Sequence, residues 1–271
     1  MNRRLESRDI LAFYLESGVD ETIGEEPINR LDTKTLVRRA AAAPAHPEPP
    51  APSPFPLSRP EPLPATPSAP PIPAVPGRVL EVSSIEALGQ ALAAFDGCPL
   101  KKTATNLVFY DGNPKARIMF IGEAPGAEED RHGKPFVGPS GKLLDQMLAS
   151  IGLDRTNVLI SNTVFWRPPG NRPPTTSEAA VCLPFVERLI ELVDPLVIVA
   201  LGGAAAKSLF ATTESVGRLR GRWLPFSTAG LPRPINATVT FHPAYLLRSP
   251  AQKRGAWQDL LAIRKKLESF Q

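Results

Sequence analysis

Two short turns carry the ionisable side chains on which chemistry in this chain could rest. Gly122-Glu123-Ala124-Pro125-Gly126 follows the apolar run Ile118-Met119-Phe120-Ile121, and His242-Pro243-Ala244-Tyr245 follows Ala237-Thr238-Val239-Thr240-Phe241. A carboxylate set among small residues can polarise water, while the free amides of the same turn hold a departing anion. Glu123 could equally cap a helix or pair with a nearby arginine. Pro243 biases His242 to an extended backbone, which aims the imidazole out of the strand end. A lone histidine is also often no more than a satisfied polar group. Asn162 closes Val158-Leu159-Ile160-Ser161-Asn162 and offers a donor and an acceptor together, the pair that reading a base edge requires; a turn-forming role is the alternative. Phe136, in the loop Pro135-Phe136-Val137-Gly138-Pro139-Ser140-Gly141, could stack on a planar ring or belong to the core. Ser140 is placed to cap the helix Lys142–Leu148, where a phosphate could sit.

These residues need a scaffold that brings them to one edge. Strand patterns fall at 117–122, 157–162, 196–201 and 236–241, and helical patterns at 81–95, 140–151, 175–193, 203–211 and 250–268. Thr175 followed by Glu178 is a capping box for the third of these helices. The alternation predicts a three-layer α/β/α domain with a mostly parallel four-stranded central sheet, whose ligands collect at the carboxyl edge. Gly202-Gly203-Ala204-Ala205-Ala206-Lys207-Ser208 lacks the spacing of a phosphate-binding loop and reads as a glycine turn entering a helix.

The domain is expected to occupy residues 79–271. Ahead of it, 15 of the 33 residues from Pro44 to Pro76 are proline, so 38–78 reads as an extended linker, or less simply as a Pro-rich docking motif. Residues 1–37 contain one short helical pattern, 4–18, a candidate for partner docking. That pattern is too acidic and interrupted for a signal peptide, and the longest uncharged apolar run, Leu196–Ala206, is far short of a membrane span. A soluble, cytoplasmic, monomeric protein with reduced cysteines is the expectation. The net charge of +4 is uneven: residues 201–271 hold 11 Lys/Arg against 3 Asp/Glu, which suits a polyanion or an ordinary solvated surface. The three histidines are scattered and not grouped with cysteine, so no metal site is expected.

Five ordered segments, GEAPGAEED (122–130), GKPFVGPSGKLLD (133–145), ISN (160–162), RPPGNRPPT (167–175) and FHPAYLLR (241–248), resemble the uracil-DNA glycosylase superfamily, and most of all its fourth family, which normally bears an iron–sulfur cluster. The resemblance covers about residues 98–268. It implies hydrolysis of the bond between uracil and deoxyribose in single- or double-stranded DNA, leaving an abasic site, with the nucleotide flipped from the stack or taken from a single strand. Phe136 would stack on uracil and Asn162 read its edge. Amides around Gly122 and Ala124, with His242, would stabilise the uracil anion, and Glu123, favoured over Glu129 or Asp130, would position water or stabilise the sugar cation. Ser140, Arg167, Arg248 and Lys253 are the residues expected against DNA.

The chain departs from that family in its cysteines. Cys98 and Cys182 match two of the four cluster ligands, while Phe95 and Trp166 occupy the other two positions. Two thiolates cannot supply four-cysteine ligation, so the expectation is no cofactor, with Phe95 and Trp166 filling the space. The position where first-family enzymes carry a tyrosine that excludes thymine is Gly126, and the segment 165–172 has no histidine for covalent capture of the sugar. The rival from another class is a protein that binds and shields uracil or abasic sites without turnover; a pure binder has less need of both Glu123 and His242.

Overall fold

The computed structural model describes Val79 and residues 81–270. The expectations for residues 1–37 and 38–78 lie outside the described residues.

Helix α1 (Ile85–Ala94) starts at Ser84, whose hydroxyl accepts from the Ala87 amide, and it is followed by strands β1 (Tyr110–Gly112) and β2 (Ile118–Gly122). The chain continues through α2 (Ala127–His132), α3 (Pro139–Ala149), β3 (Leu159–Asn162), α4 (Thr176–Val193), β4 (Val197–Leu201) and α5 (Gly203–Phe210). It ends with α6 (Val216–Leu219), β5 (Leu224–Phe226), β6 (Ile235–Thr240), α7 (Pro243–Arg248) and α8 (Lys253–Glu268).

The sheet runs β1-β3-β2-β4-β6-β5. Its four central strands are parallel, as the sequence predicts, but the expected count of four is corrected to six by antiparallel edges β1 and β5. Both edges are three residues long and only partly buried, too short for a period-2 pattern, and Pro225 sits where an edge tolerates a missing donor.

Side-chain alternation builds the layers. Met119, Ile121, Ile198, Ala200, Ala237 and Val239 face α1, α4 and α5, in one core that also holds Leu88, Phe185 and Leu209. Ile118, Phe120, Ile160, Val197 and Val199 face the other way, toward Leu144 of α3, Leu246 of α7 and Leu260 of α8. Strands buried on both faces read as continuous apolar runs, and β2 and β4 have every residue buried. All four parallel strands end at one edge, and the register sets Gly122 beside Asn162 there.

Candidate active site

A cavity of about 460 Å³ opens at that carboxyl edge. Glu123, Ala124, Phe136, Asn162 and His242 line it, so residues from four separate segments meet where the sequence expects them.

Glu123 follows the last residue of β2. Its turn is docked to the start of the next segment through bonds from the Val164 amide (3.1 Å) and the Thr163 hydroxyl (2.8 Å) to its carbonyl oxygen. Its carboxyl is half-buried with no cationic partner among the described residues, and burial pushes its pKa above the ordinary carboxylate value. The Ala124 amide finds no acceptor among the described residues, whereas the Gly126 amide donates to Glu129 at 3.1 Å.

Glu128, Glu129 and Asp130, the other carboxylates of this segment, are committed elsewhere, Glu128 to Arg131. Glu129 Oε1 accepts from the Val137 and Gly138 amides at 3.0 and 2.8 Å, which ties the Phe136 loop to the Glu123 turn. Asp130 Oδ1 accepts from the Thr105 and Asn106 amides. That leaves Glu123 as the carboxylate of the segment without hydrogen-bond partners among the described residues.

Phe136 has a left-handed backbone (φ 55°), which costs a residue with a side chain a kcal/mol or more (about 1–3). The surroundings impose it. Arg155 donates to the Phe136 carbonyl and, at 3.2 Å, to that of Pro135, and is itself held by Asp111 (2.6 Å) and Asp145 (2.8 Å). Gly141 is required, because a Cβ there would lie 1.7 Å from the Phe136 oxygen. The ring so placed covers Gly122 and lies 5.5 Å from the His242 ring at 32°.

Asn162 is 1% exposed, and its Oδ1 has no hydrogen-bond partner among the described residues. A buried acceptor left unpaired costs about 1–3 kcal/mol, so it marks a place where a ligand donor fits.

His242 precedes α7, and its Nδ1 accepts from the Ala244 amide at 3.1 Å. The neutral ring therefore carries its hydrogen on Nε2 and is a donor there. Burial, with Arg248 nearby and Glu129 opposing, lowers its pKa to about 4. At neutral pH it is an uncharged donor.

The remaining expected residues divide. Arg248 and Ser140 line the cavity. Ser140 lies inside α3, which begins at Pro139 with Gly138 as its cap, so its expected capping role is corrected: the proline starts the helix three residues before Lys142. Gly122 sits behind the Phe136 ring. Arg167 braces Asn171 (2.7 Å) outside the cavity wall, and Lys253 lines a separate hollow between α3 and α8. Sequence reasoning missed Tyr245 and Asn171, which line the cavity, and Arg155; both cavity residues stand in quoted motifs, but Arg155 finds its partners across the fold and leaves no local signal.

An open α/β sheet has a cleft at its carboxyl edge, lined by an aromatic ring, a buried side-chain amide, a neutral imidazole and a half-buried carboxylate, a lining that suits a planar polar ring. The comparisons with known proteins narrow it. A model of the uracil DNA glycosylase superfamily matches residues 109–261. The type-4 uracil-DNA glycosylase of Pyrobaculum aerophilum is 39% identical over 183 residues, 66% of this chain and 92% of that protein. That of Thermotoga maritima is 43% identical over 165 residues (61% and 84%), and the type-5 uracil-DNA glycosylase of Thermus thermophilus 35% over 115 (37% and 52%). This chain belongs to the uracil-DNA glycosylase superfamily.

The residues do not fit the four-cysteine cluster that the type-4 resemblance implies. Cys98 and Cys182 are fully buried with sulfurs 4.0 Å apart, and their hydrogen bond, with burial, raises the Cys182 pKa. Phe95 and Trp166 share their core, and the Phe95 ring packs 5.0 Å from Phe185. Among the described residues no three His, Cys, Asp or Glu side chains gather as metal ligands.

Proposed function

We propose that this protein is a monofunctional uracil-DNA glycosylase, which hydrolyses the N-glycosidic bond of deoxyuridine in single- or double-stranded DNA and leaves an abasic site. The observation that carries the reading is the unpaired, buried Asn162 Oδ1 in the same cavity as a neutral Nε2–H imidazole. Uracil offers an N3–H for the first and an O2 that becomes anionic as the bond breaks for the second. Phe136 stacks on the ring. Glu123 orients the attacking water or faces the sugar cation, and the Ala124 amide assists His242. A preorganised donor at a developing oxyanion is worth about 3–4 kcal/mol. Ser140, Arg167, Arg248 and Lys253 lie toward the DNA backbone, with salt-dependent binding as the consequence.

We also propose that the domain works without an iron–sulfur cluster, with Phe95 and Trp166 as apolar filling, and that the protein acts as a cytoplasmic monomer with residues 1–37 available to a partner through the linker 38–78. No helix among the described residues is long and apolar enough to cross a membrane. Stoichiometric iron in protein purified without oxygen would overturn the cofactor reading.

The test is a single-stranded oligonucleotide with one internal uracil, or thymine as control, incubated with protein and run on a denaturing gel with and without alkali. Alkali-dependent cleavage of the uracil strand alone is expected. A uracil-specific native-gel shift without cleavage means a binding protein that shields the lesion.

A further inference from the structure

Residues just before His242 are gripped from a side that the cavity does not reach. Arg220 ends α6, and its Nε and Nη2 donate to the two carboxylate oxygens of Asp259 on α8 at 2.7 and 3.1 Å. The flat guanidinium also lies 4.4 Å from the centre of the Phe241 ring. Phe241 in turn stacks on Tyr245 of the cavity wall, with ring centres 5.2 Å apart. Asp259 is 6% exposed and accepts a further bond, 2.7 Å long, from the hydroxyl of fully buried Thr240. Thus one carboxylate and one guanidinium hold both residues that precede His242.

The packing around this pair is shaped for it. A Cβ on Gly255 of α8 would fall 2.6 Å from Arg220 Nη2, so glycine makes the space. Next to His242 itself, Gly202, with φ 89°, lets the backbone approach to where its own Cβ would lie 2.9 Å from that of His242. Only arginine can grip a carboxylate with two parallel donors and cover a ring with the same plane; lysine retains the charge and loses both geometries.

We infer that Arg220, clamped by Asp259, is a positioning residue for His242, fixing Thr240, Phe241 and Tyr245 so that the imidazole Nε2–H stays aimed into the cavity. The inference rests on the reading of His242 given above. It separates from a direct DNA contact, since two guanidinium nitrogens are already committed, and from a role in stability alone, since its effect must pass through the imidazole.

The experiment is a double-mutant cycle on the full chain: wild type, Arg220→Lys, His242→Ala and the double variant, in single-turnover cleavage with saturating enzyme below each variant's unfolding temperature. Arg220→Lys should lower the rate constant about 10–100-fold, as a misplaced catalytic group does. In the His242→Ala background the same change should cost less than about 3-fold, because no imidazole remains to be misplaced. Equal losses in both backgrounds, no loss in either, or weakened DNA binding at an unchanged rate constant overturn the inference. A wild type that does not cleave defeats the activity reading alone. In that case nitrogen NMR of the His242 ring decides: Arg220→Lys should shift it away from the single Nε2–H form of the wild type, and an unchanged spectrum refutes the positioning role.

Discussion

Gly122→Ala perturbs the site through a single methyl group. A Cβ at this position would lie 2.5 Å from Asn162 Oδ1 and 2.6 Å from Phe136 Cζ, where ordinary contact begins at 3.4 Å. The side chains must yield by 3.4 − 2.5 = 0.9 Å and 3.4 − 2.6 = 0.8 Å. Neither can do so freely, since Phe136 is fixed by Arg155 and Asn162 is 1% exposed. A displacement near 1 Å in a catalytic constellation costs about 100-fold in rate, so Gly122→Ala should lower single-turnover cleavage by that factor. Overpacking should remove about 1–3 kcal/mol of stability. For a domain this size the melting midpoint then falls by about 2–12 °C. Gly152→Ala supplies the control. Its φ of 76° strains any side chain, but no atom lies within 4 Å of the new methyl, so it should lose stability and keep its rate. If Gly122→Ala cleaves within about 3-fold of wild type, the two side chains are not held where the structure has them, and the reasoning fails.

Two further predictions follow from charge. The Glu123 pKa is raised by burial, so the wild-type rate should fall as pH drops through a value above 4.5, while Glu123→Gln should be slow and lack that limb; His242, lowered to about 4, titrates below this range. A raised carboxyl favours folding below its unfolded pKa and loses that contribution as pH rises, so Glu123→Gln should melt no lower than wild type at pH 7, and a large loss there would contradict the unpartnered environment. Glu178 is the reverse case: held down to about 2 by Arg172, against burial and with help from Thr175, it stabilises above the unfolded value. Glu178→Gln should lower the melting midpoint at pH 7, with the gap to wild type closing as pH falls toward 2; a gap constant with pH would sink the ion-pair account.

The parallel core was legible because β2 and β4 are apolar on both faces, and the cavity because Glu123, Asn162 and His242 each stand at or just beyond a strand's carboxyl end. Thr175 with Glu178 was legible as a cap because both of its bonds are local: the Glu178 amide donates to the Thr175 hydroxyl at 3.2 Å, and the Thr175 amide to Glu178 Oε2 at 2.7 Å. The edges β1 and β5 were not, since three residues carry no period. Arg155 and Arg220 were not either, because their partners lie 10 to 44 and 39 residues distant, and only the fold brings them near.

The loop between β3 and α4 forms a wall of the site and is held at both ends. Pro168, Asn171 and Pro174 of this loop line the cavity, so its position matters to any ligand there. One end is anchored by Trp166, 3% exposed in the core that also contains Phe95 and both cysteines. The other end is anchored by Arg172, which donates to both Glu178 oxygens at 2.8 and 2.7 Å while the Thr175 amide donates to one of them. Along the loop, prolines at 168, 169, 173 and 174 restrict the chain before it folds. The apolar filling proposed for Phe95 and Trp166 holds by packing, and packing tolerates little loss of volume. Trp166→Ala should therefore cost about 3–5 kcal/mol and impair cleavage with it, since the same indole supports both the core and the loop. Cys98→Ala with Cys182→Ala removes only two small side chains and should leave the cleavage rate near wild type. If the double cysteine variant is the one that loses activity, the thiols are more than filling, and the apolar-plug account is wrong.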